Sequence, residues 1–334
     1  MTLGNCGLFS RRGALIGAAA LCLATVTSAA GAEPLKIGYS DWPGWVAWQV
    51  AIEKGWFKEE GVDVAFEWFD YVPSMDAFAA GKLDGVTVTN GDALVMGGTG
   101  TKSVMILVND FSNGNDMIVA QPGIKSLKDL KGKKVGVEVG FVDHLLLLNG
   151  LKKAGMKEDD VTLVNTKTNE TPQVLKSGQV DAIAAWQPNS GQAIKDVAGA
   201  TVVYSSADEP GLIYDVMTVT PASLANRRAD WVKIAKVWQR CVAYINDPKT
   251  TDDAVKILAA RVGLKPEEYK PLLAGTKLQT LADGKKVFGK GDGFASLYGS
   301  SQIADDFNVK NAVYKEKQDV NSFIDPSITN ELVK

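Results

Sequence analysis

The sequence predicts an α/β protein with two similar lobes, two crossovers between them and a ligand cleft where the lobes face each other. Three observations support this: an internal repeat with an offset of 97 to 99 residues, strands that alternate with helices in each copy, and loops rich in Trp and acidic residues after the strands. Strands that alternate with helices form parallel sheets. Ligands bind beyond the carboxyl ends of such strands, so a cleft between two sheets is the expected site.

The repeat consists of three short segments that recur in the same order. Residues 36–39 (KIGY) match 134–137 (KVGV), 58–62 (KEEGV) match 157–161 (KEDDV), and 81–86 (GKLDGV) match 178–183 (GQVDAI). Two copies so far apart indicate two related lobes, because a solenoid needs several copies at a shorter period.

The first copy is predicted to run strand, helix, strand, helix, strand. These segments are Leu35–Tyr39, Trp45–Lys54, Val62–Trp68, Pro73–Ala80 and Val86–Thr89. Apolar and polar side chains alternate along the second strand, which is typical of a half-buried strand. The second helix begins with Pro and ends before Gly, which are common helix boundaries.

The second copy and the tail follow from the same patterns. Its predicted strands are Val135–Val137, Val161–Val164 and Ala182–Trp186, and its helices are Val142–Ala154 and Pro172–Ser177. The segments Ser103–Ala120 and Thr201–Thr220 are predicted to be the two crossovers. After Pro221, apolar residues recur at helical spacing and predict an amphipathic helix through Trp231, Trp238 and Ile245, with another helix over Thr251–Val262.

The domain organisation that follows has three parts. Residues 1–32 resemble an export signal: Arg11 and Arg12 precede an uncharged stretch that is too short to span a bilayer, and Ala30-Gly31-Ala32 fits a cleavage site. We expect cleavage after Ala32 and a periplasmic mature protein. Residues 33–118 and 217–334 are predicted to form the first lobe, and residues 119–216 the second.

Charge and composition exclude several classes of function. The chain has 36 Lys and Arg against 39 Asp and Glu, which argues against nucleic acid as a partner. His144 is the only histidine and lacks a nucleophile partner, so the expectation is a non-enzyme without catalytic residues. The sequence contains no metal-ligand spacing and no phosphate-binding loop of the usual form. We therefore expect neither a cofactor nor a metal.

The candidate ligand-binding residues lie in the loops after the predicted strands and on the second crossover. The loops are residues 40–45, 89–92, 138–144 and 186–189, which hold several Trp and acidic residues and no Lys or Arg. The candidates are Asp41, Trp42, Trp45, Asn90, Asp92, Glu138, Asp143, Trp186 and Asp215. Some have structural alternatives: Asp92 and Asp143 also suit helix N-termini, Trp45 suits a core, and Asp215 faces either a hinge or the ligand.

Longer motifs carry a family resemblance over about residues 35–220. The segments LKIGY, GWFKEEGV, SLKDLKGKKVGV and GQVDA resemble the substrate-binding proteins of nitrate, sulfonate and taurine ABC importers. The loops GYSDWPGW, TNGDAL, VEVGFVDH and AWQPNS resemble the branch encoded beside urea carboxylase-type enzymes, which is described as importing urea or guanidine. The resemblance implies a two-lobed, type II-like periplasmic binding protein fold. It also implies a small-molecule ligand, a membrane permease and an ATPase as partners, and a monomer.

The loop after the Val135 strand differs from the anion-binding relatives. It contains Glu138 and Asp143 and no hydroxyl group, whereas the relatives tend to offer Ser or Thr hydroxyls to the anion. Carboxylates and Trp faces suit a small planar cation, so guanidine is the expected ligand. Urea, an anionic sulfonate or nitrate, and a small-molecule enzyme on the same fold are the alternatives.

Overall fold

The computed structural model describes residues 33–334, and the predicted export signal lies outside them. Its first sheet has six strands in the order β11-β4-β10-β3-β1-β2. The bounds of these strands are β1 Leu35–Tyr39, β2 Val64–Trp68, β3 Gly85–Thr89, β4 Val104–Ser112, β10 Tyr214–Val219 and β11 Thr276–Leu278. Strand β1 pairs in parallel with β2 and β3, while β10 is antiparallel to β3 and β4.

The second sheet has five strands in the order β7-β6-β8-β5-β9. Their bounds are β5 Asp116–Ala120, β6 Lys134–Val137, β7 Thr162–Asn165, β8 Ala182–Trp186 and β9 Thr201–Ser205. Strand β6 is parallel to β7 and β8, and β5 is antiparallel to β8 and β9. The two sheets therefore share one plan, a parallel trio followed by an antiparallel strand, which confirms the predicted α/β fold with two related halves.

Helices cover the sheets and fill the tail of the chain. They are α1 Pro43–Val46, α2 Trp48–Lys54, α3 Trp56–Glu60, α4 Tyr71–Ala79, α5 Asn90–Gly98, α6 Val142–Lys153, α7 Thr171–Lys176, α8 Asn189–Asp196, α9 Pro221–Asn246, α10 Thr251–Arg261, α11 Pro266–Tyr269, α12 Leu281–Val287, α13 Leu297–Lys310 and α14 Ser327–Leu332. The apolar stripe predicted in the tail is buried: Trp231 and Trp238 of α9 are fully inaccessible.

The internal repeat has a physical cause that is visible in both halves. In the first, the carboxylate of Asp84 accepts a hydrogen bond of 2.9 Å from the backbone N–H of Lys36 at the start of β1. In the second, Asp181 accepts an equal bond of 2.9 Å from the N–H of Lys134 at the start of β6. Each Asp thus ties the strand that follows it to the first strand of its sheet, which explains why the Asp recurs in the repeated segment.

The chain changes sheet twice. It leaves the first sheet after Ser112 and enters the second at Asp116, then returns between Ser205 and Tyr214. The predicted crossovers contain both of these passages. The exact lobe limits, after residues 118 and 216, stay predictions. Within residues 33–334, no helix is both long and apolar enough to cross a membrane.

The predicted helix Trp45–Lys54 differs from the structure, which has two short helices in this region. Helix α1 begins at Pro43 and ends at Val46, and α2 begins at Trp48. Close packing at the start of α1 requires a glycine at position 44, because a side chain there would overlap the carboxylate of Asp110 on β4. The Trp-Pro-Gly-Trp segment therefore brings its backbone directly against a buried acidic side chain.

Candidate functional site

A cleft of about 370 Å³ lies where the strands of the two halves end, and we call it the interlobe cleft. Its lining comes from the loops after β1 and β2, from those after β6, β7 and β8, and from the end of α10. The residues are Asp41, Trp68, Phe69, Asp70, Tyr71, Val72, Pro73, Glu138, Lys167, Thr168, Asn169, Trp186, Pro188, Asn189, Arg261 and Val262. Three of the predicted site residues, Asp41, Glu138 and Trp186, meet here. This is the position expected for a ligand of two facing parallel sheets.

Asp41 joins the two halves across the cleft. Its Oδ1 accepts a hydrogen bond of 3.1 Å from the indole Nε1 of Trp186, and its Oδ2 accepts one of 2.9 Å from Nδ2 of Asn189. Burial raises the pKa of Asp41, and the two hydrogen bonds oppose that shift. Because the donors belong to the second half and the acceptor to the first, these bonds hold the halves together around the cleft.

Glu138 lies on the opposite wall, directly after β6. Its Oε2 accepts a hydrogen bond of 3.1 Å from the hydroxyl of Thr168 in the loop after β7. The side chain is half-buried, and burial raises its pKa, while the Thr168 hydrogen bonds lower it. The carboxylate therefore keeps acceptor capacity toward the cleft.

Two cationic side chains in the cleft were not predicted. The guanidinium of Arg261, at the end of α10, lies 4.0 Å from the ring centre of Trp68. Lys167 follows β7 on the other half. Arg261 belongs to the helical tail, whose sequence carries no motif of a site. Lys167 lies in the loop after β7, outside the four loops that were predicted to contact the ligand.

Behind the cleft lies a group of five aspartates that we call the carboxylate cluster: Asp92, Asp110, Asp116, Asp143 and Asp215. Each is at most 2% exposed. None forms an ion pair with a Lys, Arg or His side chain in the part of the chain that the structure describes. Buried charges ordinarily have such a partner, so the cluster is an exception.

Several oxygens of the cluster lack any hydrogen-bond donor among the described residues. They are both carboxylate oxygens of Asp143 and the Oδ2 atoms of Asp110, Asp116 and Asp215. Burial raises the pKa of Asp110 and Asp116 to about 7, and it also raises the pKa of Asp143 and Asp215 well above the usual range. Neighbouring carboxylates add to the increase for Asp143 and Asp215. The cluster thus has acceptor capacity that no protein group uses.

Tyr71 connects the cleft to the carboxylate cluster. Its ring lies in the cleft wall, and its hydroxyl donates a hydrogen bond of 2.6 Å to Oδ2 of Asp92. The ring of Trp45 stacks on Tyr71 at 5.3 Å, and the edge of Trp186 meets it at 5.1 Å. Burial raises the pKa of Asp92 to about 7.

The structure separates the predicted site residues into three groups. Asp41, Glu138 and Trp186 line the cleft, while Asp92, Asp143 and Asp215 belong to the carboxylate cluster behind it. Trp42 and Trp45 are buried, and Nε1 of Trp42 donates a hydrogen bond of 3.0 Å to Asp110.

Asn90 stands apart from both the cleft and the cluster in its contacts. It donates to the hydroxyls of Ser300 and Ser301 and accepts from the backbone N–H of Tyr214. Asp110 and Asp116 were not predicted, because each belongs to a strand and not to one of the four loops that follow strands. Their signal was an acidic residue in a mainly apolar strand, at the start of β5 for Asp116.

The arrangement differs from a metal site. Within residues 33–334, no three His, Cys, Asp or Glu side chains are close enough to hold a metal ion. The five carboxylates come from five elements, α5, β4, β5, α6 and β10, and their unpartnered oxygens suit a polyatomic ligand with several N–H donors better than a single ion.

Two α/β halves with a cleft between their strand ends define the fold of periplasmic binding proteins. The aliphatic sulphonate binding protein SsuA from Escherichia coli has this fold: it superposes with a TM-score of 0.73 and 20% identity, over 87% of this chain and 97% of that one. The nitrate-binding protein NrtA from Synechocystis PCC 6803 gives 0.69 and 12%, over 89% and 87%. The desulfurization enzyme DSZB also shares the fold, with a TM-score of 0.61 and 15% identity, over 89% and 98%.

The profile of the NMT1/THI5 like family matches residues 42–251, so the chain belongs to that family. A protein of Brucella abortus (strain 2308) named as a binding protein is 34% identical over 177 residues, 52% of this chain and 54% of that protein. One of Bacillus subtilis (strain 168), named for binding aliphatic sulfonates, is 32% identical over 148 residues, 42% and 44% of the two chains. The chain thus spans about half the length of the curated relatives it matches.

Proposed function

We propose that this protein is the extracytoplasmic solute-binding component of an ABC importer and that it binds a small, planar, nitrogen-rich cation, with guanidinium as the first candidate. The observation that supports the cation is the carboxylate cluster, whose buried oxygens lack donors. The fold and the family agree with a solute-binding role. Its partners would be a membrane permease and an ATPase.

The energetics of the cluster favour a ligand with several donors. A buried carboxylate without a hydrogen bond is costly, by roughly 1–3 kcal/mol or more per group. A guanidinium ion carries N–H donors in a flat fork that matches carboxylate oxygens, and it remains charged at any physiological pH. Such an ion would satisfy unpartnered oxygens of Asp143 and its neighbours and would neutralise part of their charge.

Aromatic rings complete the proposed site. Tyr71 and Trp186 line the cleft, and their rings meet edge to face at 5.1 Å. A cation over an aromatic face gains about 0.5–2 kcal/mol, more when it is removed from water. The two rings therefore form an aromatic part of the cleft wall beside Asp92 of the carboxylate cluster.

Urea and an anion are the competing ligands. Urea has N–H donors but no charge, so it would leave the excess negative charge of the cluster uncompensated. The relatives named above bind sulfonates and nitrate, and Arg261 and Lys167 are the two cations that an anion in the cleft could contact. An anion 4 Å from one ionised carboxylate would be repelled by about 4 kcal/mol at an effective dielectric near 20. This repulsion favours the cation.

An enzyme on the same fold is the alternative of another class. The fold of DSZB shows that this architecture can carry catalysis. In this chain His144 is buried, its Nδ1 accepts a hydrogen bond of 3.2 Å from the N–H of Gly140, and burial lowers its pKa. Incubation with candidate ligands followed by mass spectrometry of the products tests this alternative, and unchanged ligand supports the binding role.

Calorimetry with guanidinium, urea, taurine and nitrate tests the proposal. We expect binding of guanidinium and no binding of taurine or nitrate. Asp143→Asn keeps the side-chain shape and removes a carboxyl group that would ionise beside the bound cation, so guanidinium affinity should fall about 10- to 100-fold. Asp159→Asn makes the same charge change at an exposed position and should bind as the unmodified protein does. Tight taurine or nitrate binding, or equal affinity of the two variants, would contradict the cation site.

A further inference from the structure

Asp110 and Asp215 occupy directly opposite positions on neighbouring antiparallel strands, β4 and β10. Side chains at such positions have Cβ atoms about 5 Å apart, and two like charges there repel each other. Both side chains are inaccessible to water, with 0% and 2% exposure, so solvent does not screen this repulsion.

The surroundings of the pair supply little compensation. One oxygen of Asp110 accepts the indole N–H of Trp42, but the Oδ2 atoms of both residues have no donor among residues 33–334. A hydrogen bond between the two carboxyl groups therefore requires that one of them carries a proton and donates it. Such a bond would use the unpartnered oxygens without any other group.

The neighbouring titratable groups increase the need for a proton. Helix α5 contributes Asp92, β5 contributes Asp116 and α6 contributes Asp143, while α11 contributes the phenol of Tyr269. All of these are acids. None of the elements packed on the pair places a Lys, Arg or His in an ion pair with it in the described part of the chain.

We propose that Asp110 and Asp215 share one proton in the empty protein and that a cation bound at the carboxylate cluster displaces this proton into solvent. The inference rests on the proposed function. The exchange balances in charge, because one proton leaves as one cation enters. Burial and the neighbouring carboxylates raise the pKa of both groups, which agrees with a proton held near neutral pH. The empty pair thus carries one negative charge instead of two without needing a basic residue.

The exchange has a measurable signature in ligand binding. Where the pair is protonated, each unit increase in pH should raise guanidinium affinity about tenfold, and the increase should stop once the proton has left. Calorimetry of guanidinium chloride at pH 6, in buffers of different ionisation enthalpy, should report the release of about one proton per cation. The same titration at pH 9 should report a release near zero.

Asp215→Asn is the decisive variant. Its amide can donate to Asp110 permanently, as the shared proton does, so proton release at pH 6 should fall by about one proton per cation and the pH dependence of affinity should weaken by the same one proton. Asp159→Asn, at an exposed site, should release a proton as the unmodified protein does. Binding of guanidinium by the unmodified protein without proton release at pH 6 would overturn the exchange and leave the proposed function intact.

An infrared measurement on the ligand-free protein tests whether Asp110 and Asp215 hold a proton, independently of any ligand. At pH 6 the infrared difference between the unmodified protein and Asp215→Asn should contain one band of a protonated, buried carboxyl group that the variant lacks, while any bands of Asp92, Asp116 and Asp143 are common to both. The absence of this difference band would overturn the shared proton. If guanidinium does not bind at any pH, the proposed function and the displacement step both fail, and the infrared band alone still decides whether the pair holds a proton.

Discussion

Asp41 provides a direct test of the contact that closes the interlobe cleft. Asp41→Ala removes the acceptor of both bonds from the second half, those from Trp186 and Asn189. Hydrogen bonds to a charged group contribute about 1.5–3 kcal/mol each when buried, and Asp41 is half-buried, so we take about 1 kcal/mol for each. The loss of about 2 kcal/mol of closing energy corresponds to a shift of about 30-fold in the ratio of closed to open protein.

The shift should be visible in shape and in affinity. Small-angle scattering of the ligand-free protein should show a larger radius of gyration for Asp41→Ala than for the unmodified chain, because more molecules are open. Ligand affinity should fall by up to the same factor of about 30, because the competent state is less populated. The ligand used is guanidinium, at concentrations that saturate the unmodified protein.

A double-mutant cycle separates this contact from general damage. Trp186→Phe keeps a smaller aromatic ring and removes the indole donor, so it should cost at least about half as much closing energy as Asp41→Ala. In the double variant, the loss of Trp186 should add nothing for that bond, because its acceptor is already absent. Fully additive effects, or an unchanged radius of gyration in Asp41→Ala, would refute the role of the Asp41 hydrogen bonds in holding the cleft closed.

Three further predictions concern packing, pH and charge. Gly44→Ala should destabilise the fold by at least about 1–3 kcal/mol in thermal melting because its Cβ would overlap Asp110, whereas Gly284→Ala, where the new Cβ meets only ordinary contacts, should not. The ligand-free protein should lose stability as pH rises from about 4 to about 7. The pKa of Asp92 is about 7 in the folded protein and near 3.8 in the unfolded chain, so over this range the folded state holds a proton that the unfolded chain has released. Melting temperatures that rise over this range would contradict the prediction. Glu138→Gln should lower guanidinium affinity about 10- to 100-fold and change urea binding much less, and calorimetry that shows equal losses would indicate a damaged loop.

Much of the fold could be predicted because its signals are local. Strands Leu35–Tyr39 and Ala182–Trp186 have the predicted bounds: the second is a continuous apolar run between polar residues, and the first is apolar except for the exposed Lys36. The repeat was visible because Asp84 and Asp181 perform the same backbone contact in each half. Such contacts constrain the residue type at one position and therefore produce a pattern that can be recognised in the sequence.

The site was predictable only in part because its residues are brought together by long-range contacts. The rule that ligands lie beyond strand ends selected Asp41 and Glu138, which do line the cleft. The same rule cannot select Asp110, which lies inside β4 and meets Asp215 only through the pairing of strands about a hundred residues apart. Trp42, which was expected to face the ligand, is buried and donates its indole N–H to Asp110 of the carboxylate cluster, so its role at the ligand stays a prediction. Sequence spacing carries no information about that pairing.

The strand order of the first sheet also has a consequence for the growing chain. Within residues 33–334, strand β4 pairs with β10 and β11 and makes one bridge to Ile324, and all of these partners are synthesised after the five strands of the second sheet. Until residues 214–219 are made, β4 is a mainly apolar strand with neither edge paired. Open edges of this kind are templates for pairing with other chains. Synthesis therefore includes an interval in which β4 is exposed to pairing with other chains.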